Sequence, residues 1–127
     1  MKRILVPTDF SENTHSAIEF AVDIVNQIEG ELIFLNTYKL ARRAGMFIGV
    51  ENMMREESKT EMAKLVRRIK KRLKPKIAIK SKVVKGDPIQ TVVLAAKKMQ
   101  VDLIIMGTQG ASGLKEVFIG STTNGVI

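Results

Sequence analysis

The sequence predicts an α/β protein built on an open parallel sheet with helices on both faces. Two observations point there. Short apolar runs rich in β-branched residues recur at 3–8, 31–37, 77–84 and 102–106, each the length of one strand. Longer segments with helical apolar spacing separate them, giving β-α-β-α-β-α-β. Helical crossovers of that kind bring successive strands together in parallel and leave the helices packed on the sheet faces.

The first strand closes at Pro7-Thr8-Asp9. The helix after it is expected to be capped by Asp9 or Ser11, whose short side chains can accept from the free N–H groups of a first turn. Ala17, Ile18, Ala21, Val22, Val25 and Ile28 recur on one face, and Gly30 is the expected left-handed stop. Residues 31–37 form the second strand. Residues 38–50 have no period and read as a loop near where a ligand would sit. A second helix over 51–73 turns Met54, Ser58, Met62, Leu65, Ile69 and Leu73 inward, its methionines serving as core filler, and Pro75 ends it. Residues 77–84 alternate, with Lys80 and Lys82 on one side as in a strand near a sheet edge. Asp87-Pro88 is a cap followed by proline at the first helical position. Ile89, Val92, Val93 and Ala96 then carry the third helix inward, and 102–106 is the fourth strand.

Composition narrows the class. A chain of 127 residues reads as one domain that buries about two-thirds of its unfolded surface. It has no Cys, so disulfides and thiolate metal sites are excluded. Its apolar runs reach only about five residues against the roughly 20 that span a bilayer, and 1–7 lack a signal-peptide core. A soluble, cytoplasmic protein with no membrane partner is expected.

The net charge is +8, unevenly placed. Residues 64–85 carry 11 of the 21 Lys and Arg and no acid, so the remaining ten cations face all 13 acids. Such a block can bind nucleic acid or another anionic partner. Six aromatic residues in the whole chain serve base stacking poorly, so nucleic acid is disfavoured and a solvated helix face running into a lysine-protected edge strand is the simpler reading.

The fourth strand leads into Gly107-Thr-Gln-Gly110, then nine residues, then Gly120-Ser121-Thr122-Thr123. Glycines let backbone N–H groups approach an anion, a helix starting near Gly120 would add aligned N–H dipoles, and the hydroxyls add donors. That combination is a phosphate cradle. Its spacing is neither the dinucleotide-binding pattern nor the lysine-containing P-loop.

Gly107-x2-Gly110-x9-Gly120-Ser121 is similar to the ATP-binding motif of the universal stress protein family at every defined position. Residues 2–11, Gly86-Asp-Pro88 and 101–108 resemble that family's first strand, third helix entry and fourth strand. The resemblance implies an adenine-nucleotide α-hydrolase-like fold with strand order 3-2-1-4-5. The order reverses between strands one and four, where open α/β sheets bind ligands at the C-terminal strand ends. It further implies ATP as ligand, with Mg²⁺ or Mn²⁺ accompanying the nucleotide. Pro7, Thr8 and Asp9 carry over as the adenine and ribose wall, with Asp9 either accepting from a ribose hydroxyl or holding the ion through water. The Thr37 backbone would meet the adenine edge, and Met106 would pack on the base or fill the core. Gly107 would lie near the ribose, and Gly110, Gly120 and Ser121 would wrap the phosphates with Thr122 and Thr123.

No hydrolytic engine is apparent. Phosphoryl transfer needs cations on the transferred group and an oriented nucleophile, and the loop offers no Lys or Arg before Lys115; Arg42 and Arg43 are the other candidates to reach a γ-phosphate. His15, the only histidine, has no catalytic partner at motif spacing and reads as a surface residue. The expected role is a nucleotide-responsive regulator of a stress response with little or no hydrolysis. A slow ATPase or phosphotransferase at the same site, or an anionic-partner module using 64–85, are the alternatives. Family domains continue past Gly-Ser with a full helix and a fifth strand, so 1–127 reads as a single, C-terminally incomplete domain. Strand four is then expected to have a bare edge, with a homodimer or a tandem partner domain as possible company.

Overall fold

In a computed structural model of the chain, which describes residues 2–38, 48–109 and 115–120, the strands are β1 (Arg3–Pro7), β2 (Glu31–Tyr38), β3 (Ala78–Lys85), β4 (Leu103–Gln109) and β5 (Lys115–Gly120). They form one sheet in the order β3-β2-β1-β4-β5. The first four are parallel and β5 runs antiparallel to β4. Helices α1 (His15–Ile28), α2 (Ile48–Lys70) and α3 (Pro88–Lys98) make the crossovers.

Each face of the sheet has its own core. Ala17, Ile18, Val22 and Val25 of α1 pack with Met62, Leu65 and Ile69 of α2 over Ile4, Leu32 and Phe34. On the opposite face Val92 and Ala96 of α3 cover Leu5, Ile33, Leu35 and Ile104. Strand β2 is therefore buried on both faces, which is why 31–36 reads as a continuous buried run. β3 is an edge, and Lys80, Lys82 and Lys85 on it are exposed, as the alternation in the sequence indicates.

Several local expectations change. Neither Asp9 nor Ser11 caps α1: a 3₁₀ turn (Glu12–Thr14) precedes the helix, and Thr14 at its N-cap makes no side-chain capping bond. The left-handed residue that ends α1 is Glu29, with φ 54°, rather than Gly30. A Cβ on Gly30 would lie 2.5 Å from the Lys2 carbonyl oxygen, so contact with the chain before β1 selects glycine there. Asp87 caps α3 as expected, accepting from the N–H groups of Ile89 and Gln90, with Pro88 following. Ile89, however, does not point inward; it is 78% exposed.

The bare edge on strand four is also corrected. Residues 115–120 pair with β4 from Gln109↔Lys115 to Ile104↔Gly120. Val117, Phe118 and Ile119 have strong β preference. Gly120 accordingly ends a strand, where the sequence suggested the start of a helix.

Candidate functional site

Strand lengths create the site. β1 stops at Pro7, level with Leu35, while β2 runs on to Tyr38. On its other side β1 pairs Leu5 with Ile104, which puts Pro7 level with Met106, and β4 runs on through Gly107. A short strand between two longer ones leaves a notch at the C-terminal ends, where the strand order reverses. The notch is a cleft of about 270 Å³ walled by Pro7, Thr8, Asp9, Thr37, Met106 and Gly107. The exposed Ile89 and its neighbours Pro88 and Val92 close the α3 side.

The loop after β1 is fixed by its own hydrogen bonds. Thr8 N–H donates to the Leu35 carbonyl (2.8 Å), and its carbonyl accepts from Asn36 Nδ2 (2.8 Å). Thr14 Oγ1 donates to the Ser11 carbonyl (2.8 Å), so the 3.0 Å contact between the Thr8 and Thr14 hydroxyls takes its proton from Thr8. Thr8 Oγ1 also accepts from Phe10 N–H (3.0 Å) and holds that residue at φ 67°. With its proton committed to Thr14, Thr8 shapes the wall rather than offering a free donor. Asp9 stands exposed at the rim, its Oδ1 accepting from both the N–H and the hydroxyl of Ser11.

Gly107 has a packing requirement as well. A Cβ there would collide with the Asn13 carbonyl and lie 3.0 Å from Thr14 Cα, because the 3₁₀ turn sits directly on the end of β4. Met106 packs against the α3-side core, one of the two roles the sequence left open, and it also lines the cleft. Gly120 lies opposite Ile104, three positions along β4 from Gly107 and away from the mouth. Gly110, Ser121, Thr122 and Thr123, with Arg42 and Arg43, lie outside the described residues; of Lys115 the backbone alone is described, opposite Gln109.

The model of the family described as "Universal stress protein family" matches residues 1–127. The chain belongs to the universal stress protein family. A universal stress protein of Methanocaldococcus jannaschii is 33% identical over 146 residues, covering 99% of this chain and 88% of the relative. A crystal structure of a family protein from Burkholderia pseudomallei, 22% identical, superposes with a TM-score of 0.74 over 85% of this chain and 82% of that one. Two more distant structures share the fold at TM-scores of 0.57 and 0.56, with 22% and 13% identity. They are a universal stress protein in complex with cAMP (81% of this chain, 73% of that one) and a family protein of Arabidopsis thaliana with AMP bound (88% and 80%).

Elsewhere on this universal stress protein, His15 is exposed and 3.7 Å from Glu19. It lines a separate hollow of about 370 Å³ with Lys64 and Arg68, on the far side of the Thr8–Thr14 wall. In the basic segment, Lys64, Arg72, Lys80 and Lys85 pair with Glu61, Glu19, Glu31 and Glu51. The other seven cations are exposed, with no carboxylate within 4.0 Å among the described residues. No group of three or more His, Cys, Asp or Glu able to hold a metal exists among the described residues. None of the described helices is long and apolar enough to cross a membrane. Two contributors to the site leave no local signal in the sequence. Asn36 anchors Thr8 from inside a buried strand, and Ile89 was hidden by its helical spacing.

Proposed function

We propose that this universal stress protein binds an adenine nucleotide, ATP in the first instance, in the notch above β1 and acts as a nucleotide-responsive regulator with little or no hydrolysis. One observation carries the reading. Six residues chosen from sequence, at the ends of three different strands, line a single cleft. The cAMP and AMP complexes of similarly folded family proteins point to the same ligand class.

Apolar walls (Pro7, Met106, Ile89) suit a base, and Asp9 at the rim suits a ribose hydroxyl. Gly107 lines the cleft on the ribose and phosphate side; the phosphates are assigned to Gly110, Gly120 and Ser121, with Thr122 and Thr123, on the glycine motif alone, Gly120 lying opposite Ile104 in the β4–β5 pairing. Among the described residues Asp9 is the single carboxylate lining the cleft, with Oδ1 engaged by Ser11. One carboxylate fits a divalent ion that arrives on the nucleotide's phosphates and is touched through water, rather than an ion held by the protein alone. Mg²⁺ or Mn²⁺ bound in that way would neutralise phosphate charge.

Calorimetric titration of ATP, with and without Mg²⁺, into the full chain and into Gly110→Val and Gly120→Val is the test. The reading expects micromolar binding by the natural chain and loss in both variants. A folded natural chain that binds no adenine nucleotide overturns it. Retained affinity in either variant removes that glycine from the phosphate site.

A further inference from the structure

We propose that Ile89, on a helix outside the glycine motif, grips the base of a nucleotide bound in this cleft, so that affinity depends on the base being present; the proposal rests on the nucleotide reading above. Ile89 lines the cleft and leaves 78% of its surface exposed. A large apolar side chain held open to water has no folding role there, since Val92 and Ala96 anchor α3 to the sheet. Its surface becomes favourable when a flat apolar group covers it. Pro7 and Met106, at the ends of β1 and β4, line the same cleft, so a planar ring bound there would meet apolar surface from the strand ends as well as from Ile89. Asp9, the charged residue of the described lining, is suited to a sugar rather than to a phosphate, because a carboxylate repels anions.

The position of Ile89 is set with more care than an ordinary surface residue. Gly86 N–H donates to the Tyr38 carbonyl (3.0 Å), fixing the end of β3 to the end of β2. Gly86 has φ 153°, and a Cβ on it would lie 2.6 Å from Thr91 Oγ1, so this tight turn requires glycine. Asp87 then accepts from the N–H of Ile89 itself (3.1 Å). The turn, the cap and Pro88 together hold Ile89 over the cleft before any ligand arrives, which keeps the ordering cost of binding low.

The experiment measures affinities of AMP, adenosine and ribose 5-phosphate for the full natural chain, Ile89→Ser, Ile89→Leu and Leu94→Ser. Leu94 is a control on the same helix, 67% exposed and away from the cleft. Because Ile89 is exposed, its replacement leaves the core intact, and thermal unfolding of each variant checks this. The expected result is a loss of about tenfold for AMP and adenosine in Ile89→Ser, the scale of lost methylene contacts in an apolar pocket. Ribose 5-phosphate affinity stays unchanged, Ile89→Leu retains most of the base-dependent affinity, and Leu94→Ser matches the natural chain. Unchanged AMP and adenosine affinity in a folded Ile89→Ser overturns this proposal and leaves the nucleotide reading standing. Equal losses for ribose 5-phosphate and AMP also overturn it, since the effect would then not be on the base. A natural chain that binds neither AMP nor adenosine overturns this proposal; ATP titrated into the same chain separates the two readings, since bound ATP leaves the nucleotide reading standing and no binding overturns both.

Discussion

Gly107 and Asn13 are packed so closely that the Asn13 carbonyl occupies the space a side chain at Gly107 would fill. The first glycine of the Gly-x2-Gly-x9-Gly-Ser motif is thus required by the fold itself. It lets the 3₁₀ turn before α1 settle on the end of β4, and that contact closes one side of the cleft. Gly107→Ala is expected to destabilise the protein by about 1–3 kcal/mol, the usual cost of forcing an atom into a packed site, with no nucleotide present. Urea unfolding of the unliganded variant measures it. An unchanged midpoint would show that the turn moves aside freely.

The hydroxyl pair of Thr8 and Thr14 is the second structural element of the cleft. Thr8 is 5% exposed, and its hydroxyl supports both Thr14 and the Phe10 N–H. Thr8→Val keeps the shape but leaves those partners unsatisfied, at a cost of about 1–3 kcal/mol. Chemical denaturation reads the loss. Equal stability of Thr8→Val and the natural protein would mean that water replaces the hydroxyl.

Acid stability has a defined source. Glu31, with 6% of its side chain exposed, lies 2.9 Å from Lys80 Nζ and 3.2 Å from Arg3 Nε. The bond to Lys80, aided by Arg3, holds its carboxyl below the ordinary value of 4.5 against the opposing effect of burial. A depressed folded pKa gives stability that is fully present above the unfolded value and lost as pH falls through the folded one. Unfolding free energy should therefore decline below about pH 4.5, and Glu31→Gln should flatten that decline while lowering stability at neutral pH. An acid limb identical in the two proteins would assign the pH dependence to other carboxylates, of which Glu19, lowered by its bond to Arg72, is the first to test.

At the entry to α3, Asp87→Ala removes the acceptor of two backbone N–H groups. Loss of such a cap costs about 1 kcal/mol. Because Ile89 is one of the two donors, nucleotide affinity should fall together with thermal stability. Full affinity in a destabilised Asp87→Ala would show that Ile89 is held by Pro88 and Gly86 alone.

Periodicity made much of this fold legible. The four parallel strands and three helices follow from apolar runs separated by helical stripes, and Asp87-Pro88 marked its helix without ambiguity. What sequence could not supply came from packing between distant segments. Gly30 answers to Lys2 and Gly107 to Asn13, contacts that leave no local trace, and Glu29 takes the left-handed conformation expected of its neighbour. Ile89 fits the inward stripe of α3 by spacing, but it sits in the first turn, which overhangs the end of the sheet. The nine residues between Gly110 and Gly120 conceal a strand because a motif with fixed glycines invites reading the interval as loop, although Val117, Phe118 and Ile119 prefer extended backbone. In the cleft, Pro7, Thr8, Asp9, Thr37, Met106 and Gly107 come together at strand ends beside the reversal of strand order; the family resemblance named them, and such strand ends are where open α/β sheets bind ligands. Asn36 was not found, since a buried polar residue acting on a backbone carbonyl looks like any strand residue.

The most direct test of the central claim is a titration of the ¹⁵N-labelled chain with ATP and Mg²⁺, followed by amide chemical shifts. Binding in the notch above β1 should shift Thr8, Asp9, Thr37, Met106, Gly107 and Ile89. The Arg3, Glu31 and Lys80 amides, at the opposite end of the sheet, should stay in place. Shifts confined to Arg3, Glu31 and Lys80 or to the basic segment 64–85, or none at saturating nucleotide, would contradict the account.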